Sequence, residues 1–339
     1  MRFGKNEFFR RLKGGPVWYV LGATVALWPL FFTTETVLPG RLQDSAMVFL
    51  SVVLEATPFL LLGALVSAGV RRSSSVLQFI RHFPTNPVLG VPLAALLGVA
   101  LPVCECGNVP IARSLVARGL STVYATVFLF SAPLLNPAVV FSTVVAFGGN
   151  WTFVILRFAL GLVVIISLGW WVWWQDRHGV SLWRRDDSNA HGACDHEGVC
   201  EHETETFAGR VIHEFMEIFP LLVFGALATP LVQAFVPREV FSESQYGHAG
   251  AILFMMLLAF ILSVCSSSDA FIALGYTGLV PPSALLAFLI FGPMIDAKNV
   301  LLYGKIFSLR GILRMSAVIA ALVFVVTLCV DKLGLLPPV

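Results

Sequence analysis

VCECGNVPIA, at residues 103–112, places two thiols, a carboxylate, an amide, a glycine and a proline inside apolar sequence. A similar stretch, VCSSSDAFIA, occupies residues 264–273. We call them the first and second polar segments; they match at Cys104 and Cys265 and at Asn108 and Asp269. Polar side chains at bilayer depth are costly and usually face a cavity or another polar group. We therefore expect the two segments to form two halves of one substrate path.

The composition of the chain is that of a membrane protein. Of its 339 residues, 57% are hydrophobic and 12% are charged, and the mean hydropathy is +0.84. A soluble domain carries about 25% charged residues. The net charge is only +2 and no basic run alternates with aromatics, so we predict no nucleic-acid partner. The sequence contains no GxxxxGK[ST] phosphate loop, which argues against a nucleotide-driven machine.

Hydropathy predicts the membrane helices. A membrane helix needs about 20 apolar residues. The candidates are residues 17–34, 46–70, 88–103, 121–147, 151–174, 210–236, 249–265, 283–303 and 312–331. The third and seventh are short and run directly into the polar segments, a pattern typical of re-entrant or broken helices.

The distribution of Lys and Arg predicts the topology, because cytoplasmic loops carry an excess of these residues. We compared two topologies with the amino end inside. The excess of Lys and Arg in the inner loops is larger if the third and seventh candidates are re-entrant than if all nine candidates cross the membrane. Each half then has three crossings and one re-entrant piece, an odd number, so the second half is inverted. We predict an all-α polytopic membrane protein made of two inverted repeats with an extra N-terminal helix.

Further matches between the two halves keep the same order along the chain. Glu55-x-x-Pro58 recurs as Glu217-x-x-Pro220, and Gly63-Ala64-Leu65 recurs as Gly225-Ala226-Leu227. FSAPLLNP, which contains Asn136, is matched by FGPMIDAKN, which contains Asp296. Ile155-Leu156-Arg157 recurs as Ile312-Leu313-Arg314.

We predict four regions: the cytoplasmic amino terminus with the first membrane helix (1–42), the first repeat (43–174), a cytoplasmic linker (175–209) and the second repeat (210–334).

A substrate site is predicted where the polar segments converge. Thiolates suit soft or borderline ions such as zinc, copper(I) and, by the same logic, trivalent arsenic. The alternative for each cysteine is packing as a small apolar residue. The predicted substrate-binding residues are Cys104, Glu105, Cys106, Asn108, Cys265, Ser266 and Asp269, with Asn136 and Asp296 close by.

Three further charged residues are candidates for coupling. Glu55 and Glu217 each lie one turn before a proline, where hydrogen bonding across a helix break explains them as well as proton transfer does. Lys298 follows Asp296 by two positions, and neutralisation of that carboxylate is an equally good explanation of its presence.

The linker carries a separate set of candidate metal ligands. His191, Cys194, His196, Cys200 and His202 lie among acidic residues. His and Cys at such spacing are ordinary zinc ligands. We predict metal capture or sensing there, and a disordered acidic linker is the alternative.

The chain resembles the predicted permease family that includes the ArsP and YraQ-type proteins. The resemblance covers about residues 45–330 and rests on VCECGNVPIARSLVARG, FSAPLLNP, VCSSSDAFIA and FGPMIDAKN. It implies a plasma-membrane permease with Cys104, Cys106 and Cys265 as substrate thiols, and a second membrane-associated subunit as partner. Some relatives export organoarsenicals and others are linked with zinc or copper. Other branches carry CSCG, so Glu105 is a departure that favours a divalent cation.

Together these features predict a non-enzymatic permease that moves a thiophilic metal ion or metalloid by alternating access. Its partners are the lipid bilayer and the substrate, and the amino end lies inside. No dedicated cofactor is predicted; zinc or copper is expected as substrate or as a linker-bound sensor ion. Two alternatives remain: a membrane thiol oxidoreductase using Cys104 and Cys106, and a membrane subunit of a larger transport complex.

Overall fold

The computed structural model describes residues 40–84, 86–100, 103–184, 207–235 and 247–334, and every regular element in these ranges is an α-helix. In chain order the helices are α1 (Gly40–Arg72), α2 (Ser74–Arg81), α3 (Pro87–Ala100), α4 (Glu105–Ala117), α5 (Thr122–Ser131), α6 (Pro137–Ala146), α7 (Trp151–Arg177), α8 (Phe207–Phe235), α9 (Gly247–Leu262), α10 (Asp269–Leu274), α11 (Pro282–Met294), α12 (Ala297–Tyr303) and α13 (Leu309–Lys332).

Four segments are long and apolar enough to cross a membrane: Val53–Arg72, Trp151–Arg177, Pro282–Tyr303 and Leu309–Lys332. The predicted all-α polytopic membrane protein is therefore confirmed. The predicted first membrane helix, at 17–34, lies outside the described residues.

In the first half, α3 and α4 form a hairpin that begins and ends on one side. Gly90, near the start of α3, packs against the ring of Tyr124, and Gly98, near its end, packs against Ser131. Helices α3 and α5 therefore run parallel. Since α4 connects them, α4 must run back towards the side from which α3 started. This is the geometry of a re-entrant hairpin, and the first polar segment lies at its turn.

The second half contains a comparable hairpin. His248 at the start of α9 lies 2.8 Å from Asp331 near the end of α13. Ser283 at the start of α11 donates a 2.7 Å hydrogen bond to the same carboxylate. Helices α9 and α11 therefore begin on the same side, and the second polar segment lies at the turn that follows α9.

Helices that the sequence pairs across the halves run antiparallel. Helix α7 packs against α13, and Leu182, just beyond the end of α7, accepts a backbone hydrogen bond from Ser308, just before α13. Helix α1 packs against α8, and Arg71 at the end of α1 lies 3.8 Å from Glu214 near the start of α8. Antiparallel counterparts are what inverted repeats require. The duplication itself and its orientation in a bilayer stay predictions.

The prediction of one continuous helix over 121–147 is wrong. Helix α5 ends at Ser131 and α6 begins at Pro137, and each has 10 residues. A helix of that length spans about 15 Å, against about 30 Å of hydrocarbon. The cause is the run of Pro133 and Pro137, since proline lacks the amide hydrogen that a continuing helix needs.

The predicted crossing over 283–303 corresponds to the candidate span Pro282–Tyr303, and the helix within it is interrupted. Helix α11 ends at Met294, directly after Pro293, and α12 begins at Ala297. Each half therefore contains a broken crossing beside a re-entrant hairpin. The two helix interruptions and the two hairpin turns lie in the interior of the bundle.

Two matched glycines set the distance between helices near these breaks. A Cβ atom on Gly63 of α1 would lie 2.5 Å from the Cα atom of Gly107 in α4. A Cβ atom on its counterpart Gly225 of α8 would lie 3.0 Å from the Cα atom of Lys298 in α12. Gly63 and Gly225 thus let α1 and α8 pack closely against α4 and α12, the helices that carry the polar residues.

Candidate functional site

The two polar segments meet in the interior of the bundle. Ser266 of the second segment donates a 3.1 Å hydrogen bond to Oε2 of Glu105 in the first. The two residues are 3% and 1% exposed, so water does not screen this contact. We call the group of buried residues around it the central polar cluster: Glu105, Cys106, Cys265, Ser266, Asp296 and Lys298.

The first segment enters the cluster at a helix amino terminus. Cys104 occupies the N-cap position of α4, and Glu105 is the first residue of that helix. A carboxylate is stabilised there by the free amides and the helix dipole. The thiol of Cys106, the second residue of the same helix, is fully buried.

Lys298 supplies the positive charge at the centre of the cluster. Its ammonium lies 3.2 Å from Oε1 of Glu105, 3.7 Å from Oδ2 of Asp296 and 4.0 Å from the sulfur of Cys265. The side chain is 0% exposed. A buried charge is tolerated only when it is paired, so these contacts account for a lysine at this depth. The predicted pairing of Lys298 with Asp296 is present, and Glu105 is a closer partner.

Ser263 holds the backbone of Lys298 in place. Among the described non-glycine residues, Ser263 is the one whose φ is positive, at 47°. It directly follows the end of α9. Its hydroxyl accepts a 3.2 Å hydrogen bond from the amide of Lys298. Left-handed backbone at a non-glycine residue is uncommon and often marks a functional loop.

Asn136 and Asp296, the second matched pair, both begin a helix after a break. Oδ1 of Asn136 accepts a 2.9 Å hydrogen bond from the amide of Ala138, which caps α6. Oδ1 of Asp296 accepts from the amide of Asn299, which caps α12. Asn and Asp are preferred N-cap residues. Asp296 also faces Lys298 with its second oxygen, whereas Asn136 bonds weakly to the carbonyl of Val103 at 3.5 Å.

Asp269 is paired with an arginine instead of joining the central polar cluster. It forms a fully buried salt bridge with Nη2 of Arg157. Arg157 also donates a 2.6 Å hydrogen bond to the hydroxyl of Thr143 and a 3.2 Å hydrogen bond to the carbonyl of Leu289. The pair therefore joins α7 to α6, α10 and α11.

The two coupling candidates on α1 and α8 each contact a segment from the opposite half. Glu55 accepts a 2.9 Å hydrogen bond from Ser267 in the second polar segment. Glu217 accepts two hydrogen bonds, of 3.2 and 3.1 Å, from Arg113, which follows the first polar segment. Lys305 lies 3.5 Å from the same carboxylate. One contact is therefore between a carboxylate and a neutral hydroxyl, and the other is an ion-pair network.

Two buried amides near these groups lack hydrogen-bond partners. Neither amide atom of Asn108 or Asn299 has a partner among the described residues, and both side chains are 0% exposed. Buried polar groups in proteins are almost always satisfied. Asn108 lies one turn after Glu105 on α4, on the same helix face. These two amides are therefore exceptions to that rule within the described residues.

The cysteines do not form a ready metal cage. Within the ranges that the structure describes, no three His, Cys, Asp or Glu side chains are placed to hold a metal ion. The position between Glu105, Asp296 and Cys265 is taken by the ammonium of Lys298. The linker candidates His191, Cys194, His196, Cys200 and His202 lie outside the described residues.

Comparison with known proteins decides the family. The model of the predicted permease family ArsP_1 matches residues 42–331. The chain belongs to this permease family. YcgR of Bacillus subtilis strain 168, a UPF0718 protein, is 33% identical over 283 residues, which cover 84% of this chain and 95% of that protein. A Streptococcus mutans protein, named as a subunit of a two-component membrane permease complex, is 31% identical over 297 residues, or 86% of this chain and 97% of its own. No solved structure matches.

Two partners in this permease were missed by reasoning from its sequence. Arg157 is the single charged residue in the apolar stretch 151–174. That isolation is a signal, because an ionisable residue inside a membrane helix usually faces the bundle and has a partner. Arg113 directly follows the first polar segment, and nothing in the sequence indicates its contact with Glu217.

Proposed function

We propose that this permease moves a thiophilic metal ion or metalloid across the plasma membrane by alternating access, and that the central polar cluster binds it. The observation that carries the proposal is the contact between Ser266 and Glu105. It brings the thiols of Cys106 and Cys265 and the carboxylates of Glu105 and Asp296 into one buried neighbourhood.

The chemistry of the cluster favours a cation. Sulfur ligands select soft or borderline metals, and carboxylates neutralise positive charge. Glu105 and Asp296 together carry more negative charge than Lys298 balances, so a cation is attracted to the site and an anion is repelled. A neutral metalloid would use the thiols and gain little from the carboxylates. Among thiophilic substrates we therefore expect divalent metal ions to be preferred.

The arrangement of hairpins supports alternating access. One re-entrant hairpin begins where α7 ends, and the other begins where α13 ends, and their turns meet at the cluster. Inverted repeats with broken helices around a central site are common in secondary transporters. On the linker side, Arg113, Glu217 and Lys305 close the approach with ion pairs. On the other side, Glu55 is held by serine hydroxyls.

The proposal includes a partner subunit as a second candidate role. The relative from Streptococcus mutans is named as one subunit of a two-component permease complex. We propose that this chain forms the membrane path in either arrangement. A thiol oxidoreductase is less favoured, because Cys106 is fully buried and the second segment offers only Cys265 in place of a cysteine pair.

Flux through vesicles tests the proposal. Full-length purified protein is placed in lipid vesicles and uptake of Zn²⁺, Cd²⁺, Cu⁺ and arsenite is measured. We expect flux of at least one of these, and a loss of tenfold or more in Cys106→Ser and Cys265→Ser. Cys329→Ser is the matched control, because Cys329 is a free thiol on the exposed surface of α13.

The outcomes separate the candidate roles. Flux that is equal in all three serine variants would exclude the thiols from the site. Flux that requires a co-expressed second subunit would place the chain in a two-component complex. Disulfide turnover at Cys104 and Cys106 without ion flux would replace the proposal with the oxidoreductase.

A further inference from the structure

We propose that Lys298 is a tethered cation that occupies the substrate position in the empty permease, and that the arriving metal ion displaces it. This inference rests on the proposed function and adds a mechanism to the same site. Its starting point is the juxtaposition of one ammonium with two carboxylates and a thiol from three separate segments of the chain.

The ammonium faces two carboxylates and a thiol, which would have to draw closer together to bind a metal ion in its place. Oε1 of Glu105 at 3.2 Å, Oδ2 of Asp296 at 3.7 Å and the sulfur of Cys265 at 4.0 Å surround it. Oxygen and sulfur are ligand atoms for borderline divalent metals. A metal ion bound to these atoms would place two positive centres within a few ångströms in a buried region, where like charges repel strongly. The ammonium and the metal ion therefore exclude one another.

Burial explains why an empty site needs a resident cation. Glu105, Asp296 and Lys298 are 1%, 1% and 0% exposed. Two carboxylates left without a cation in such a place carry a large desolvation cost. A lysine that returns to the carboxylates after the substrate leaves neutralises part of their charge, so the empty site remains compact. This would allow the empty permease to change its conformation.

The Lys298 side chain is suited to move while its backbone stays fixed. Its amide is held by Ser263, and it lies in the first turn of α12 behind the cap formed by Asp296. Lysine is a compact charge on a flexible four-carbon stem, unlike the planar and bidentate arginine.

Metal affinity in purified full-length protein tests the inference. Cd²⁺ binding is measured by isothermal titration and by the ultraviolet absorbance of cadmium–thiolate bonds. Removal of the competitor in Lys298→Gln should tighten Cd²⁺ binding at least tenfold. Lys298→Arg keeps the charge on a side chain that pairs bidentately with carboxylates, so its Cd²⁺ binding should be no tighter than that of the natural protein. Lys332→Gln is the control, because Lys332 is an exposed lysine at the end of α13.

A second measurement covers the case in which Lys298→Gln fails to fold. The missing positive charge leaves Glu105 and Asp296 unpaired, so the variant should be unstable alone. If Lys298 stands in for the substrate, Cd²⁺ added during purification should restore a monodisperse protein and raise its melting temperature. Mg²⁺ serves as the control ion, since it binds thiols poorly.

The outcomes distinguish this inference from the function on which it rests. Cd²⁺ binding that is unchanged or weakened in Lys298→Gln, with no rescue of folding, would overturn the tethered cation and leave the metal permease standing. Absence of Cd²⁺ binding in the natural protein and in every variant, together with no flux of any of the four test substrates, would overturn both.

Discussion

Arg157 and Asp269 form a salt bridge whose side chains are 0% and 4% exposed, and it joins the last long helix of the first half to the second polar segment. Removal of one partner of a buried pair lowers the stability of the protein far more than removal of both, because the remaining charge stays in a medium of low dielectric. The stability of the bundle therefore depends on this contact more than on any surface pair.

We expect Arg157→Leu to lower the stability by about 3–5 kcal/mol, since it leaves Asp269 buried and unpaired. The double variant Arg157→Leu/Asp269→Asn should recover most of that loss. Thermal unfolding of purified protein in detergent measures both. Arg314→Leu is the matched control, because Arg314 is the sequence counterpart of Arg157 and is exposed. Equal losses in the single variants at Arg157 and Arg314 would contradict this account.

Close contact between α1 and α4 makes Gly63 intolerant of a side chain. In Gly63→Ala the new methyl group would lie 2.5 Å from the Cα atom of Gly107, which is backbone and cannot rotate away. Overpacking of this kind costs about 1–3 kcal/mol. We expect a lower melting temperature and reduced flux, because Gly107 lies between Cys106 and Asn108.

Gly69→Ala on the same helix provides the comparison for Gly63→Ala. A Cβ atom at Gly69 meets no atom within 4 Å. Alanine also favours helix over glycine by roughly 1 kcal/mol. The melting temperature should therefore rise or stay unchanged. A Gly63→Ala variant as stable as Gly69→Ala would show that helix α1 does not approach α4 as described.

Asp296 combines a helix cap with a charge, and two substitutions separate these roles. Asp296→Asn keeps an effective N-cap for α12, so stability should change little while cation flux falls at least tenfold. Asp296→Ala should lose the flux and also about 1 kcal/mol of stability. Flux in vesicles and the unfolding midpoint measure the two effects. Asn136→Ala, which removes the cap of α6 without a change of charge, should lower stability by a similar amount. Normal flux in Asp296→Asn would remove its charge from the mechanism.

The closure proposed on the linker side depends on the ion pairs around Glu217. The side chains of Arg113 and Glu217 are 26% and 27% exposed, so the pair contributes about 0.5–1 kcal/mol and is weakened by salt. We expect Glu217→Gln to raise the labelling rate of Cys106 by a water-soluble maleimide from that side about two- to fivefold. Glu55→Gln should leave this rate unchanged, since Glu55 contacts Ser267 and Ser268. Equal rates in both variants and the natural protein would rule out a closure at Glu217.

Much of the architecture is determined by local composition. An apolar stretch of about 20 residues is stable only in lipid and as a helix, so the all-α membrane fold follows from the sequence directly. The two short stretches that end in polar segments, and their match at Cys104 and Cys265, indicate that these segments lie together. The contact of Ser266 with Glu105 agrees with that expectation. The prolines at 133 and 137 already contained the signal for the broken crossing that hydropathy missed.

The pairing of charges, in contrast, was decided only by the tertiary structure. Asp269 meets Arg157 and Glu105 meets Lys298, although each partner lies more than a hundred positions away in the chain. Hydropathy and helical periodicity tell which residues share a face of one helix, but they carry no information on the depth and rotation of one helix against another. A shift of one turn, about 5.4 Å, exchanges one charge partner for the next. The packing of α1 on α4 and of α8 on α12 selects the register of these helices. That register places the ammonium of Lys298 at the position where the sequence, from its thiols and carboxylates, predicted a metal ion.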